Sequence, residues 1–188
     1  MTNLEAFRWL NEPSAWSFGD DGLAFTTEAQ TDFWQRTHYG FRRDDGHAFV
    51  LEVENDLTLE AEVDTSPTAQ YDQCGLLCRI DSDTWAKCSV EYEEPGHRRL
   101  GSVVTRGGFS DWATQDVNSL TRVRYRLDRR GADLRFSWRT DADWHQMRIA
   151  HLEGGPALVG VYGCSPVGHG FACRVRGLEV GACVWEAE

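Results

Sequence analysis

Lys87 is the natural starting point, because among nineteen lysine and arginine residues it is the one lysine. Lysine is a compact charge whose pKa shifts with its surroundings, which suits it to bind a ligand or to act as base or nucleophile, whereas arginine stays charged. It lies in the segment YDQCGLLCRIDSDTWAKCSVEY, Tyr71 to Tyr92, which reads as a β-hairpin. With a three-residue turn at Ser82, Asp83 and Thr84, Arg79 stands opposite Lys87, Cys78 opposite Cys88, Leu77 opposite Ser89 and Gly75 opposite Glu91. Arg79, Lys87, Ser89 and Glu91 then share one face, with open space at Gly75 and Gln73 further along. Leu76, Cys78, Ile80, Cys88 and Val90 share the other face, which reads as core. Two cations directly opposed destabilise a sheet. They call for an acid such as Glu91, Glu93 or Asp81, or for an anionic or polyhydroxyl ligand.

Two further stretches carry groups of the same kind. Thr31 to His47, TDFWQRTHYGFRRDDGH, sets Phe33, Trp34, Tyr39 and Phe41 among His38, Asp44 and His47. A flat aromatic ring beside hydrogen-bonding groups suits a sugar, which presents apolar C–H faces and polar edges; core packing is the alternative for Trp34 and Phe41. Gly101 to Thr114 turns at Gly107 and Gly108 and continues through Ser110. That would bring Arg106, Asp111 and Trp112 to the sheet end beside the hairpin, unless Trp112 caps the core. The candidate ligand surface is therefore Trp34, His38, Tyr39, His47, Gln73, Arg79, Lys87, Glu91, Arg106, Asp111 and Trp112. An enzymatic alternative gives Lys87 a pKa lowered by its cationic neighbour, with Glu91 beside it and His38 or His47 as proton carrier on a sugar-like or small polar substrate. The six histidines show no H-x-x-x-H or H-x-H spacing and the turn acids Asp81, Asp83, Asp111 and Asp116 form no D-x-D-x-D-G loop, so neither metal nor cofactor is expected.

The elements that must position these groups are strands. Period-two alternation of apolar and polar residues runs through Phe49–Glu54, Leu57–Asp64, Cys74–Asp81, Trp85–Tyr92, Leu100–Thr105, Arg122–Arg129, Leu134–Arg139, Leu158–Gly163 and Phe171–Val180. Nine or more strands at short intervals favour an all-β, two-sheet sandwich. Asp128 to Asp133 is a hairpin turn, and Arg122, Arg124 and Arg126 alternate with Val123, Tyr125 and Leu127, which predicts a solvated arginine face. Only Leu4 to Leu10 reads as a short amphipathic turn. With 41% hydrophobic residues the chain can bury a core, and no linker or repeat divides it, which predicts one domain over residues 1–188. A net charge of −11 argues against nucleic acid as a partner, because backbone binding needs clustered cations. No apolar run approaches membrane-spanning length and no leader-like pattern opens the chain, which predicts a cytoplasmic protein with its six cysteines as reduced thiols.

Four strings occur together in order: the segment from Asp32 through His47, the Tyr71–Tyr92 hairpin, SVVTRGGFSDW and GVYGCSP. In these, over roughly Trp9 to Leu178, the chain resembles the regulation-of-enolase-like family of the concanavalin A-like lectin/glucanase superfamily. The resemblance implies a jelly-roll sandwich with its ligand site on the concave sheet, and it brings no catalytic residues with it. Retaining glucanases of that superfamily place acids as E-x-D-x-x-E on a strand. The nearest string here, Glu91-Tyr92-Glu93-Glu94-Pro95, lacks the Asp and the third acid, which argues against that chemistry. The expectation is a domain that binds a carbohydrate or similar polar small molecule; the alternatives are the enzyme above and a regulatory protein-interaction domain.

Overall fold

The computed structural model describes residues 3–117 and 120–186. Numbered in chain order, the strands form two seven-stranded antiparallel sheets in a jelly-roll sandwich. The first sheet runs, in spatial order, β1 (Arg8–Leu10), β6 (His47–Val53), β15 (Ala157–Cys164), β8 (Gln73–Arg79), β9 (Trp85–Glu94), β10 (His97–Arg106) and β11 (Phe109–Asp116). The second runs β14 (His145–His151), β13 (Asp133–Arg139), β12 (Arg122–Arg130), β7 (Leu57–Ser66), β16 (Ala172–Gly181), β3 (Gly22–Thr26) and β2 (Trp16–Gly19). A two-stranded hairpin, β4 (Phe33–Gln35) with β5 (Arg42–Asp44), stands apart from both.

All nine segments with period-two patterning are strands, because alternation is what a half-buried strand needs. Strands of three or four residues, such as β1 and β2, are too short to show a period. The stretch from Leu4 to Leu10 divides into a 3-10 turn at Leu4–Ala6, capped by the Asn3 side chain, and strand β1.

The main core lies between the sheets, where Leu76, Cys78, Ala86, Cys88 and Val104 of the first meet Leu59, Val63, Tyr125, Leu127 and Phe136 of the second. A second apolar cluster covers the opposite face of the first sheet: Phe33 and Trp34 of the hairpin pack on Val50, Leu77, Trp85, Val103 and Tyr162. The first sheet is therefore covered on both faces at its centre, and every residue of β8 is buried. The outer face of the second sheet carries the predicted arginines, tied to acids: Arg124 and Arg126 both bind Glu60, and Arg122 binds Asp64.

The β8–β9 hairpin corrects one expectation. Its turn has five residues rather than three, so Arg79 pairs with Trp85, Leu77 with Lys87, Gly75 with Ser89 and Gln73 with Glu91. Arg79 and Lys87 are not opposed. The longer turn is fixed by contacts made from inside and outside it: the Asp81 carboxylate accepts the Asp83 N–H at 2.8 Å, the Ser82 carbonyl accepts from Gln35 Nε2 and Trp85 Nε1, and the Asp83 carbonyl accepts the Gly108 N–H. A shift of two residues preserves parity, so the face assignments stand. Gly75 opens no space either; a Cβ there would run into the Cys88 carbonyl of β9.

Candidate functional site

Three charged side chains on or over the outer face of the first sheet form the floor of a pocket of about 390 Å³. Lys87 is 2% exposed, and its Nζ donates to Asp32 Oδ1 at 3.3 Å, just before β4. Aromatic rings flank the ammonium: Nζ lies 5.7 Å from the centre of Trp85 and 5.3 Å from that of Tyr162. Burial alone would depress the Lys87 pKa, but Asp32 and Glu91 outweigh it and hold the ammonium above its ordinary value. Glu91 is 4% exposed, and its carboxyl makes no hydrogen bond or ion pair with any described residue. Its two natural partners are engaged elsewhere: Lys87 turns to Asp32, and Arg99, directly opposite on β10, pairs with Glu93 at 3.1 Å. Burial therefore pushes the Glu91 carboxyl up to about 7, with Asp32 and Glu93 adding to the rise and Lys87 opposing it.

Four aromatic residues wall the pocket, and their rings meet in sequence. Tyr39 lies 5.5 Å from Trp34, Trp34 6.3 Å from Trp112, and Trp112 6.5 Å from Tyr71, each pair close to edge-to-face. Tyr39 comes close enough to Tyr71 on the remaining side for its hydroxyl to add to the rise that burial gives the Tyr71 phenol. Phe41 stacks on Tyr39 at the mouth, with Arg43, Pro166 and Val167 nearby. The Trp112 Nε1 is buried against Gly101 without a hydrogen-bond partner among the described residues.

Distant segments bring these walls together. Gln35, in the hairpin strand that carries Trp34, accepts a bond from Arg42 Nε, while its backbone N–H donates to Ser110 Oγ of β11. The Asp44 carboxylate clamps Arg79 with contacts of 2.5 and 2.8 Å. Tyr71 adopts φ +67°, a left-handed conformation that costs roughly 1–2 kcal/mol for such a residue. The neighbouring Asp72 holds that turn by accepting from the Thr68 and Ala69 N–H groups and from Ser165 Oγ. Gln73 is locked between the Tyr162 hydroxyl and the Tyr71 carbonyl.

Of the residues expected to bind ligand, the structure brings together Trp34, Tyr39, Gln73, Lys87, Glu91 and Trp112. Five lie elsewhere. Arg79 shares the face but sits under the hairpin, neutralised by Asp44. Strand alternation turns Arg106 and Asp111 to the face opposite Trp112, where Asp111 meets Arg148 of β14 at 3.5 Å. His38 is exposed in the β4–β5 turn at φ +63°. His47 is buried with both ring nitrogens engaged: Nε2 accepts the Glu28 N–H at 3.0 Å and Nδ1 lies 2.7 Å from the Asn11 carbonyl. The proposed base chemistry loses its premises, because no cation opposes Lys87, its pKa moves up and neither histidine reaches it. Asp32, Arg43, Tyr71, Val103, Pro166 and Val167 line the pocket without having been singled out. Only Tyr71, an aromatic at the mouth of the key hairpin, left a signal in the sequence. No group of three or more His, Cys, Asp or Glu among the described residues is placed to hold a metal ion, and no described helix is long and apolar enough to cross a membrane.

The family described as "Protein of unknown function (DUF1349)" matches residues 9–183. Regulation of enolase protein 1 of Saccharomyces cerevisiae is 35% identical over 169 residues, which cover 88% of this chain and 84% of that protein. A solved structure of a functionally unknown protein from Saccharomyces cerevisiae superposes with a TM-score of 0.91 at 31% identity, covering 98% of this chain and all of that one. The carbohydrate binding module CBM66 from Bacillus subtilis has the same sandwich, with a TM-score of 0.58 at 10% identity over 93% of this chain and 95% of its own.

Proposed function

Because the chain belongs to the DUF1349 family of proteins of unknown function, we propose a role from the pocket itself: it binds a carbohydrate or similar hydroxylated small molecule over the first sheet. The observation that carries this reading is the circuit of Tyr39, Trp34, Trp112 and Tyr71 around a polar floor. Aromatic walls shed water against the C–H faces of a sugar ring, and a few fixed polar groups set its orientation. One of those groups, the Glu91 carboxyl, makes no hydrogen bond or ion pair with any described residue. Likeness to a carbohydrate binding module extends to the fold alone, but it is consistent with the pocket. A thermal-shift screen of sugars and sugar phosphates tests the reading, since a ligand that binds only the native state raises Tm by mass action. We expect at least one to raise Tm in the wild type and to lose that effect in Trp112→Ala. A folded wild type that answers to none of the panel overturns it.

A further inference from the structure

We infer that the pocket selects an amino sugar, with Glu91 receiving the ligand's ammonium group and Lys87 donating to its oxygens. This rests on reading the pocket as a carbohydrate-type site. It follows from the charges that remain after internal pairs are removed. Lys87 is neutralised by Asp32. Arg43, at the mouth, is held by Asp45 at 3.2 Å and by the Gln30 carbonyl. Glu91 is the remaining carboxyl of the lining, and nothing described binds it. A buried carboxylate without a partner is costly, and a ligand ammonium would supply what Arg99 and Lys87 do not. The aromatic walls favour the same charge, because a cation is attracted to the π-faces of Trp and Tyr.

Hydrogen-bond capacity completes the match. An ammonium has three donors, and Lys87 uses one on Asp32. The others suit hydroxyl oxygens. A neutral sugar would leave Glu91 without its cation, and an acidic sugar would set a second negative charge against it. The charged and titratable groups around Glu91 are Lys87 and Glu93 on its own strand, Arg99 on β10, Asp32 and Arg43 from the covering hairpin region, and the hydroxyls of Tyr71, Tyr162 and, from the other sheet, Tyr125.

Calorimetric titration of the intact protein with glucosamine, N-acetylglucosamine and glucose at pH 5.5 and 7.0 tests this. Over that range the amine stays largely protonated, while Glu91 passes from mostly neutral to about half ionised. Glucosamine should bind at least tenfold more tightly than the two neutral sugars at pH 7.0. Its affinity should rise roughly fifteenfold from pH 5.5 to 7.0, as the ionised fraction of a group titrating near 7 does. In Glu91→Gln the glucosamine affinity should fall and lose its pH dependence. Equal binding of all three sugars, or glucosamine binding that ignores pH in the wild type, overturns the inference and leaves the carbohydrate reading standing. No binding of any of the three also overturns it, and the wider sugar panel then decides the carbohydrate reading. If Glu91→Gln does not fold, the wild-type pH profile carries the test.

Discussion

At the scale of single residues the pocket stores electrostatic cost. Glu91 titrates near 7 in the folded chain and about 4.5 when unfolded. Between these values the folded state holds the extra proton, so stability falls as pH rises through that window and levels off above it. The loss is about 3 kcal/mol. Glu91→Gln should therefore match the wild type near pH 4.5 and exceed its stability by about 3 kcal/mol near pH 8, read from urea unfolding at the two pH values. Lys87 has the opposite consequence. Its raised pKa contributes stability below the unfolded value, and that contribution is lost only as pH rises through the folded one. Lys87→Met leaves Asp32 nearly buried without its cation, at a cost of about 3 kcal/mol. The double variant Asp32→Asn, Lys87→Met should recover most of that loss in the same unfolding experiment.

At the scale of elements, the β4–β5 hairpin decides what the first sheet can do. It covers the sheet centre, supplies Asp32, Trp34 and Tyr39 to the pocket, and is held by Asp44 on Arg79, Gln35 on Ser82 and Ser110, and Arg42 on Asp83. Too short to be stable alone, it depends on these anchors. Asp44→Ala removes the charge that neutralises Arg79, a nearly buried guanidinium. Amide exchange in β4 and β5 should accelerate by about tenfold or more, while amides of β7 and β12 in the other sheet change less. Equal acceleration in both sheets would mean that the hairpin opens only with the whole molecule.

At the scale of the whole molecule, the two-layer core shields the thiols. Cys74, Cys78, Cys88, Cys164 and Cys173 are buried, and burial raises the Cys78 thiol to about 12. Thiolate is the reactive form. A thiol reagent added to the native protein should label Cys183 alone and reach all six after denaturation. Fast native labelling of more than one cysteine would contradict this packing. The strand segments, the core faces and the placement of Lys87, Glu91 and Gln73 on one face were legible in the sequence. Each depends on alternation within a strand, and alternation survives a two-residue error in register. The partners of those groups were not legible. Asp32 lies 55 residues from Lys87, and the five-residue turn that sets the pairing is held by residues outside it. Arg79 was paired away by Asp44 and His47 consumed by backbone groups at Asn11 and Glu28. Sequence thus determined which residues face the covered side of the sheet, because local periodicity fixes orientation. Only the tertiary structure decided that Glu91 is the acid left over, because that depends on which charges distant segments bring within reach and use up.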